Sequence, residues 1–537
     1  MNFLEIYWTD VYKTGHKPML PIGSTLMYSN NTPRSGKYSN CPNFGEVVQF
    51  GQQKLVRQMK TDWDNNFFNR PIEEIYQFGD DMTMMLGLSE PYDVTHFIEL
   101  HKLGYLPVRI KALKEGTVTP YKIPSFTIVN TKPINGYVAD WIVNYLETIL
   151  SAEFWQAQTS ATFVRSLRKL SKEWIMKTNP EAIGFLDFQF HDFSMRGMGG
   201  KSAIVNSGLG FATGSRGSDT LPVIPAARMY YDEVEPCINS VIASEHAIMC
   251  SLTGFFMMNS EGTWDKVADF EYEMFVHLLQ KFNSGILSLV MDTFDLFRAV
   301  TEYCARAKDI IMSRDGKLVI RPDSGDPVDI VCGDRGDSWF REDYKETINE
   351  DGDYIVDFYN NDLDINEGKT VGVNEYKGVV ELLWEVFGGT ISTTGYKVLD
   401  SHIGVIYGDS INYQRAQQIF ERLAHKGFAS TNVVLGIGSF SLNYVTRDTH
   451  GSAQKATYIE VLGKGIEIFK DPATDSGIKK SAKGLLMVYE EDGVIKLKDQ
   501  CTWEEEGQGL LKVIFEDGKF YNTTTLTEIR ELLDSTL

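Results

Sequence analysis

The sequence predicts an α/β protein, a barrel or wound sheet, with a second and mainly β region at its C-terminal end. Three observations predict it. From about residue 185 onward, short apolar runs repeatedly end in Gly, Asp, Ser, Arg or His, and usually lead into helical stretches. Residues 139–176 carry Trp141, Ile142, Tyr145, Leu146, Ile149 and Leu150 on one helical face, continued by Phe163, Leu167 and Leu170. In the last 70 residues, Glu491-Asp492-Gly493 and Glu516-Asp517-Gly518 each divide two short apolar runs, a hairpin signal.

The first 50 residues are polar and turn-rich, with Asp10-Val11-Tyr12-Lys13, His16 and Arg34 among several glycines and prolines. A helical pattern follows at 50–59. Residues 107–113 alternate apolar and polar as a half-buried strand does, and 118–129 continue as short strands broken by Pro120 and Pro124. The C-terminal hairpins are expected to pair with the strand near Val108, closing one region from both chain ends. A terminal helix is expected over 526–533.

The repeated strand ends carry the chemistry. Residues 185–190 run into His191-Asp192-Phe193-Ser194-Met195-Arg196-Gly197, and 227–231 precede Cys237 to Ser240 and Ser244-Glu245-His246. Residues 285–291 end in Asp292-Thr293-Phe294-Asp295, 403–407 in Gly408-Asp409-Ser410, and 433–435 in Gly436-Ile437-Gly438-Ser439. The densest stretch is Leu318-Val319-Ile320-Arg321-Pro322-Asp323-Ser324-Gly325-Asp326-Pro327, a buried strand opening into a turn rich in charge. In α/β barrels and wound sheets such loops gather at the carboxyl ends of the strands, so residues far apart in sequence converge on one mouth.

Composition narrows the class. Of 537 residues, 43% are apolar and 23% charged, a globular balance. With 52 Lys and Arg against 73 Asp and Glu the net charge is −21, which disfavours nucleic acid and anionic membranes as partners. Cys41, Cys237, Cys250, Cys304, Cys332 and Cys501 show no C-x-x-C spacing, so free thiols are expected. No signal-like N-terminus and no run of 18 apolar residues occurs, and a cytoplasmic, non-membrane protein is expected. Residues 332–369 are acidic and lack apolar periodicity, reading as a solvated surface insertion.

Individual motifs leave alternatives open. Gly197-Met198-Gly199-Gly200-Lys201-Ser202 resembles a P-loop, but Met195 stands where that loop needs its first glycine, which excludes the NTPase reading. His246 is either a structural histidine or a reactive one. Asp292 and Asp295 read as a helix cap or as oxygen ligands for Mg²⁺. Lys455, Lys470, Lys479, Lys480 and Lys483 are either solvated surface or a phosphate landing site.

Together the motifs resemble the nicotinamide phosphoribosyltransferases, of the type II phosphoribosyltransferase family. The resemblance runs in order through Thr9 to Lys13, His191-Asp192-Phe193 with Arg196-Gly197, Gly217 to Thr220, Ser244-Glu245-His246, 320–327, Tyr407-Gly408-Asp409, Thr446-Arg447-Asp448 and 468–472. It implies a homodimeric enzyme on an irregular α/β barrel, joining nicotinamide to the phosphoribosyl group of phosphoribosyl pyrophosphate with Mg²⁺, with active sites at the subunit interface. Phe193 and the partner subunit's Tyr12 would sandwich the pyridine ring, and Asp219 would accept the carboxamide N–H. Arg196, Arg321, Asp323 and Ser240 would line the base and ribose region, and Gly408, Asp409, Gly438 and Ser439 the 5′-phosphate and ribose. Arg34, Arg447, Lys455, Lys470 and Lys479 would receive pyrophosphate, and His246 would take a phosphoryl group from ATP. The chain departs from the family pattern at Ser439-Phe440, where glycines are usual, and at Ser194-Met195, where a glycine and a tyrosine are usual. The implied division is 1–150 and 445–537 for the β-rich region, and 151–444 for the barrel, with 332–369 inserted.

Overall fold

Seven parallel strands, Phe190–Asp192, Gly217–Ser218, Ile242–Ala243, Ser284–Val290, Asp315–Arg321, Ile403–Tyr407 and Val433–Ile437, form one curled sheet. The computed structural model describes residues 3–42, 45–132, 136–340, 345–360, 365–408, 410–470 and 481–537. The order of the strands along the sheet brings its two edges together. Asn239, just before Ile242–Ala243, bridges to Gly217, with the Ser218 N–H donating to Asn239 O at 3.0 Å and the Asn239 N–H to Arg216 O at 2.7 Å. The result is a closed ring of strands rather than an open sheet.

Period-two alternation splits each strand between lumen and core. On Asp315–Arg321, Leu318 and Ile320 are fully buried against the surrounding helices, while Lys317, Val319 and Arg321 line the interior. On Ser284–Val290, Leu287 and Leu289 face the core, and Ile286 and Ser288 the lumen. All seven strands run the same way, so their C-terminal ends open on one mouth.

A second seven-stranded sheet is antiparallel and drawn from both chain ends. Ser24–Thr32, Val108–Ala112 and Phe126–Asn130 pair with Ala453–Val461 and Lys512–Glu516, so the hairpin turned at 516–518 joins the strand near Val108 as expected, whereas the one turned at 491–493 forms a separate two-stranded sheet. The strand Ser24–Thr32 lies within a segment that reads as polar loop, yet most of it is buried. Its polarity is absorbed by neighbouring strands: the Met27 N–H donates to Asn130 Oδ1 at 2.8 Å, and Asn30 Nδ2 donates to Lys455 O at 3.2 Å. An aromatic core of Trp63, Phe67, Phe78, Phe97, Trp141 and Tyr145 covers this sheet.

The helix Glu147–Thr178 ties the two regions together. At 32 residues it spans about 48 Å. Leu150 and Phe154 at its start join the aromatic core, and Phe163, Leu167, Leu170 and Trp174 join the core around the barrel. The helix Leu526–Ser535 returns to the barrel flank, where Arg530 donates to Ala212 O at 2.6 Å and to Cys237 O at 2.8 Å.

Two segments depart from expectation. The acidic insertion, read as a solvated surface insertion without apolar periodicity, contains a three-stranded antiparallel sheet of Lys345–Ile348, Tyr354–Asn360 and Ile365–Val371. Val356 and Val371 are buried beside Tyr376, and Tyr354 stacks on Tyr376 at 3.8 Å. So few buried contacts leave only a faint alternating pattern under the many carboxylates. Residues 180–187 form a 3-10 helix, leaving a three-residue strand at Phe190–Asp192, and 227–231 belong to the helix Val223–Tyr231. The six cysteines are free, five of them buried. Among the described residues no helix is long and apolar enough to cross a membrane.

Candidate functional site

Residues just beyond the strand ends surround a cavity of about 610 Å³ at the barrel mouth, lined by Phe193, Arg196, Asp219, Arg321, Asp323, Gly408, Gly438 and Ser439 among others. A second cavity of about 500 Å³ continues into the lumen. Phe193, Asp219 and Arg321 border both, so they form the throat between them.

Phe193 is held from behind by backbone. Its N–H donates to Ile437 O at 2.9 Å, and its ring lies on Gly436 and Gly408. A Cβ at Gly436 would run into the ring and come within 2.8 Å of Gly408 Cα, so the glycine is required for the close approach. The Arg321 guanidinium lies 5.1 Å from the ring centroid, within cation–π range.

Asp219 follows the strand Gly217–Ser218, its N–H donating to Asp192 O at 2.9 Å. Its Oδ1 accepts from His191 Nε2 at 2.9 Å and from the Ser240 hydroxyl. Partial burial pushes this carboxyl upward, but the His191 and Ser240 hydrogen bonds and the positive charge of Arg321 outweigh it, leaving it below the ordinary aspartate range. Ser240 therefore reaches the site through Asp219.

The stretch from Arg321 to Pro327 is fastened at several points. Asp292 Oδ2 accepts from the Asp323 N–H at 2.8 Å, the Ser324 N–H at 2.7 Å and the Ser324 hydroxyl at 2.6 Å. The Tyr407 hydroxyl donates to Ser324 O at 3.1 Å and Gly325 O at 2.9 Å. Gly325 takes a φ of 90°, and Asp326 caps the helix Pro327–Cys332 by accepting from the Val328 N–H at 2.9 Å. Asp323 is thereby set beside Arg321, whose Nη2 lies 3.5 Å from Asp323 Oδ1.

His246 stands at the rim of this clamp. Its Nε2 is 3.7 Å from Asp323 Oδ2 and 3.9 Å from Asp292 Oδ1, and its Nδ1 is 3.1 Å from the Thr293 hydroxyl. Asp292 Oδ1 is buried and has no hydrogen-bond partner among the described residues. Asp295, by contrast, is an ordinary cap, accepting from the Arg298 N–H at 3.0 Å. The P-loop look-alike is occupied elsewhere, because the Ser202 hydroxyl donates to Glu153 Oε2 at 2.5 Å.

The remaining candidates lie apart from the throat. Tyr12 is 58% exposed and lines neither cavity. Beside it, Lys13 and Lys455 both reach Glu147, at 3.5 and 3.6 Å. Arg34 Nε donates to Gly451 O at 2.9 Å, which ties Arg34 to the turn that carries the exposed Arg447. Lys470 is exposed at the far end of the same region. Asp409 and Lys479 lie outside the described residues. Sequence reasoning missed His191 as a site residue, and also the clamping role of Asp292. The one signal for His191 is its place two residues before Phe193 at a strand end.

Comparison with known proteins places this architecture. The profile of the "Nicotinate phosphoribosyltransferase (NAPRTase) family" matches residues 188–519. A protein of Acinetobacter baylyi named nicotinamide phosphoribosyltransferase is 39% identical over 98% of this chain and 96% of its own length. One of the same name from Mycoplasma pneumoniae is 30% identical over 87% of this chain and 92% of its own. Among solved structures, human nicotinic acid phosphoribosyltransferase shares the fold with a TM-score of 0.52 at 14% identity, covering 98% of this chain and 93% of that one.

Proposed function

We infer the activity from one premise: the chain belongs to the nicotinate phosphoribosyltransferase family. Within that family it is a nicotinamide phosphoribosyltransferase, forming nicotinamide mononucleotide and pyrophosphate from nicotinamide and phosphoribosyl pyrophosphate. The observation that carries the choice of base is Asp219, an ionised carboxylate at the throat beside the Phe193 ring. A carboxylate accepts the N–H of a carboxamide and repels the carboxylate of nicotinate. Two unit charges 4 Å apart repel by about 4 kcal/mol at an effective dielectric of about 20. Asp219 has 42% of its side chain exposed, so screening reduces this to about 1–2 kcal/mol, still roughly tenfold in preference.

The pyridine nitrogen attacks the ribose C1′ with its own lone pair, the bond from C1′ to pyrophosphate breaks, and no general base is needed. The protein's part is positioning and charge. Phe193 stacks the ring and Asp219 fixes its rotation about the substituent. Asp323, held by the Asp292 clamp, faces the ribose as its C1′ becomes cationic. Arg196 and Arg321 border the ribose and base, and Gly408, Gly438 and Ser439 leave room for the 5′-phosphate.

Mg²⁺ fits this arrangement as an ion held chiefly by the substrate's phosphates. Among the described residues no group of three His, Cys, Asp or Glu side chains forms a ready-made cage. Asp292 Oδ1, buried without a partner, and Asp323 are the oxygens that would hold it. Bound there, it would supply charge neutralisation for the leaving pyrophosphate. We also assign His246, exposed between two carboxylates, as the acceptor of a phosphoryl group from ATP.

Tyr12, Arg34, Arg447, Lys455 and Lys470 serve the site from a partner copy, the protein acting as a homodimer. The exposure of Tyr12, Arg447 and Lys470, the half-buried positions of Arg34 and Lys455, and the absence of all five from the mouth lining support this reading. The activity is tested by following consumption of nicotinamide and nicotinate in the presence of phosphoribosyl pyrophosphate and Mg²⁺. Nicotinamide is expected to be the substrate. Turnover of nicotinate with nicotinamide untouched overturns the assignment.

A further inference from the structure

His191 is the second residue of the strand Phe190–Asp192 and has a glycine as its partner on each side, Gly217 on one neighbouring strand and Gly436 on the other. Both glycines are needed. A Cβ on Gly217 would lie 2.9 Å from His191 Nδ1, and one on Gly436 would strike Phe193. The space at Gly217 is filled by the imidazole, whose side chain is only 10% exposed, and that at Gly436 by the Phe193 ring. Its ring lies 4.6 Å from that of Phe193, and its Nε2 is 2.9 Å from Asp219 Oδ1. One buried side chain thus touches both residues that recognise the base.

The hydrogen bonds at Asp219 are unevenly divided. His191 and Ser240 both donate to Oδ1, and among the described residues Oδ2 accepts no hydrogen bond. A carboxylate facing a ligand amide needs one free oxygen at a fixed rotation. Two donors on the other oxygen supply that rotation. Because the acceptor is an ionised carboxylate, Nε2 must carry the proton, and the bond forms with either the neutral or the cationic imidazole.

We propose that His191 is a positioning and specificity residue for the base: with Ser240 it locks Asp219 Oδ1 so that Oδ2 alone faces the carboxamide, while its ring backs Phe193. The inference rests on the nicotinamide phosphoribosyltransferase reading. The residue lines the lumen cavity but not the mouth, and acts through Asp219.

Two substitutions separate its hydrogen bond from its ring. His191→Phe keeps a ring against Phe193 and removes the donor, whereas His191→Gln keeps an N–H at the place of Nε2 and removes the ring. Steady-state kinetics with each substrate varied is the readout. His191→Phe is expected to raise KM for nicotinamide about tenfold or more, as loss of a charge-assisted bond does, with KM for phosphoribosyl pyrophosphate within about threefold. Its preference for nicotinamide over nicotinate is expected to fall by about the same factor, and His191→Gln to recover most of both. Ser240→Ala, at an exposed position that the fold tolerates, is expected to shift KM for nicotinamide in the same direction by about threefold or more. An unchanged KM and preference in His191→Phe overturns the proposal. So does an equal rise in both KM values, or failure of His191→Gln to recover either one. Should His191→Phe not fold, an indifferent Ser240→Ala overturns it instead. Wild-type protein that turns over nicotinate alone removes the functional reading itself. Nicotinamide turnover with an indifferent His191→Phe removes only this inference.

Discussion

Replacing Asp292 with alanine is expected to cost this protein far more activity than stability. Asp292 has 4% of its side chain exposed, and its Oδ2 gathers three donors from Asp323 and Ser324. Hydrogen bonds to a charged acceptor contribute about 1.5–3 kcal/mol each, which taken singly sum to about 5–9 kcal/mol. The measured loss will be smaller. Ser324 is exposed, so water can satisfy its N–H and hydroxyl once the carboxylate is gone. The far side of the turn also stays fastened, by Tyr407 to the Ser324 and Gly325 carbonyls and by the Asp326 cap. A stability loss of about 2 kcal/mol is therefore expected, mostly from Asp323.

Activity depends on where that one residue points. A shift of about 1 Å in a positioned group can cost about a hundredfold in rate, or about 2.7 kcal/mol. The assay is kcat and KM for both substrates beside the thermal unfolding midpoint, for Asp292→Ala and Asp292→Asn. Asparagine keeps a carbonyl oxygen that can accept the same three donors, so it should restore the unfolding midpoint and a measurable part of the rate, the remainder being the charge that Asp292 would lend to Mg²⁺. If Asp292→Asn is stable but as inactive as Asp292→Ala, the charge of Asp292 acts directly and the clamp is the wrong explanation. An alanine variant within threefold of wild type would equally refute it.

Two other expectations follow from burial and from the division of the site. Glu115, 4% exposed, has its carboxyl pushed up to about 7 by burial, against hydrogen bonds from the Gln53 N–H and Tyr231. Its folded value lies above the unfolded one, so the folded chain holds the extra proton and stability falls as pH rises from about 4.5 through 7. Glu115→Gln should flatten that slope in urea midpoints between pH 5 and 8, by up to about 3 kcal/mol, and an unaltered slope would refute the assignment. If each active site combines one subunit's Asp219 with the other's Tyr12, mixing inactive Tyr12→Ala and Asp219→Ala subunits at random should restore about one quarter of wild-type activity, since half the dimers are mixed and each has one intact site. No recovery after verified subunit exchange would place Tyr12 and Asp219 on separate tasks.

How much was legible in the sequence depended on whether a residue's role was local or made by a distant partner. Strand ends are local. The apolar run 318–320 and its charged turn therefore read correctly, and so did the hairpins divided by Asp492-Gly493 and Asp517-Gly518. Ser24–Thr32 did not read as a strand, because Ser29, Asn30 and Asn31 look like loop until Asn130 and Lys455 are set beside them. At the mouth, Phe193, Asp219, Arg321 and Asp323 were found through their motifs. The function of His191 and Asp292 lies in hydrogen bonds to residues 28 to 32 positions away, and no spacing rule encodes those. The sheet within the insertion went unread for a simpler reason: it buries too few side chains to impose a period.

The sign of the charges around the throat argues for the division of labour proposed above. Asp219 and Asp323 line the mouth, Asp292 stands behind Asp323, and Arg321 is held close to Asp323. Three carboxylates suit a neutral amide and a ribosyl centre that turns cationic. They do not suit pyrophosphate, which would be repelled by about 4 kcal/mol for each charge pair at 4 Å and an effective dielectric of about 20. Beyond a Mg²⁺ that Asp292 and Asp323 would hold, the leaving group then needs further cations, and in a chain of net charge −21 these must be locally placed. Arg34 and Arg447 share one loop junction, and Lys455 stands beside the exposed Tyr12 on the antiparallel sheet built from both chain ends. None of these side chains lines the mouth of its own barrel, and in the proposed homodimer a second copy would present them to it, supplying the positive charge the departing group requires. The same arrangement would keep that charge from quenching the carboxylates that select the base.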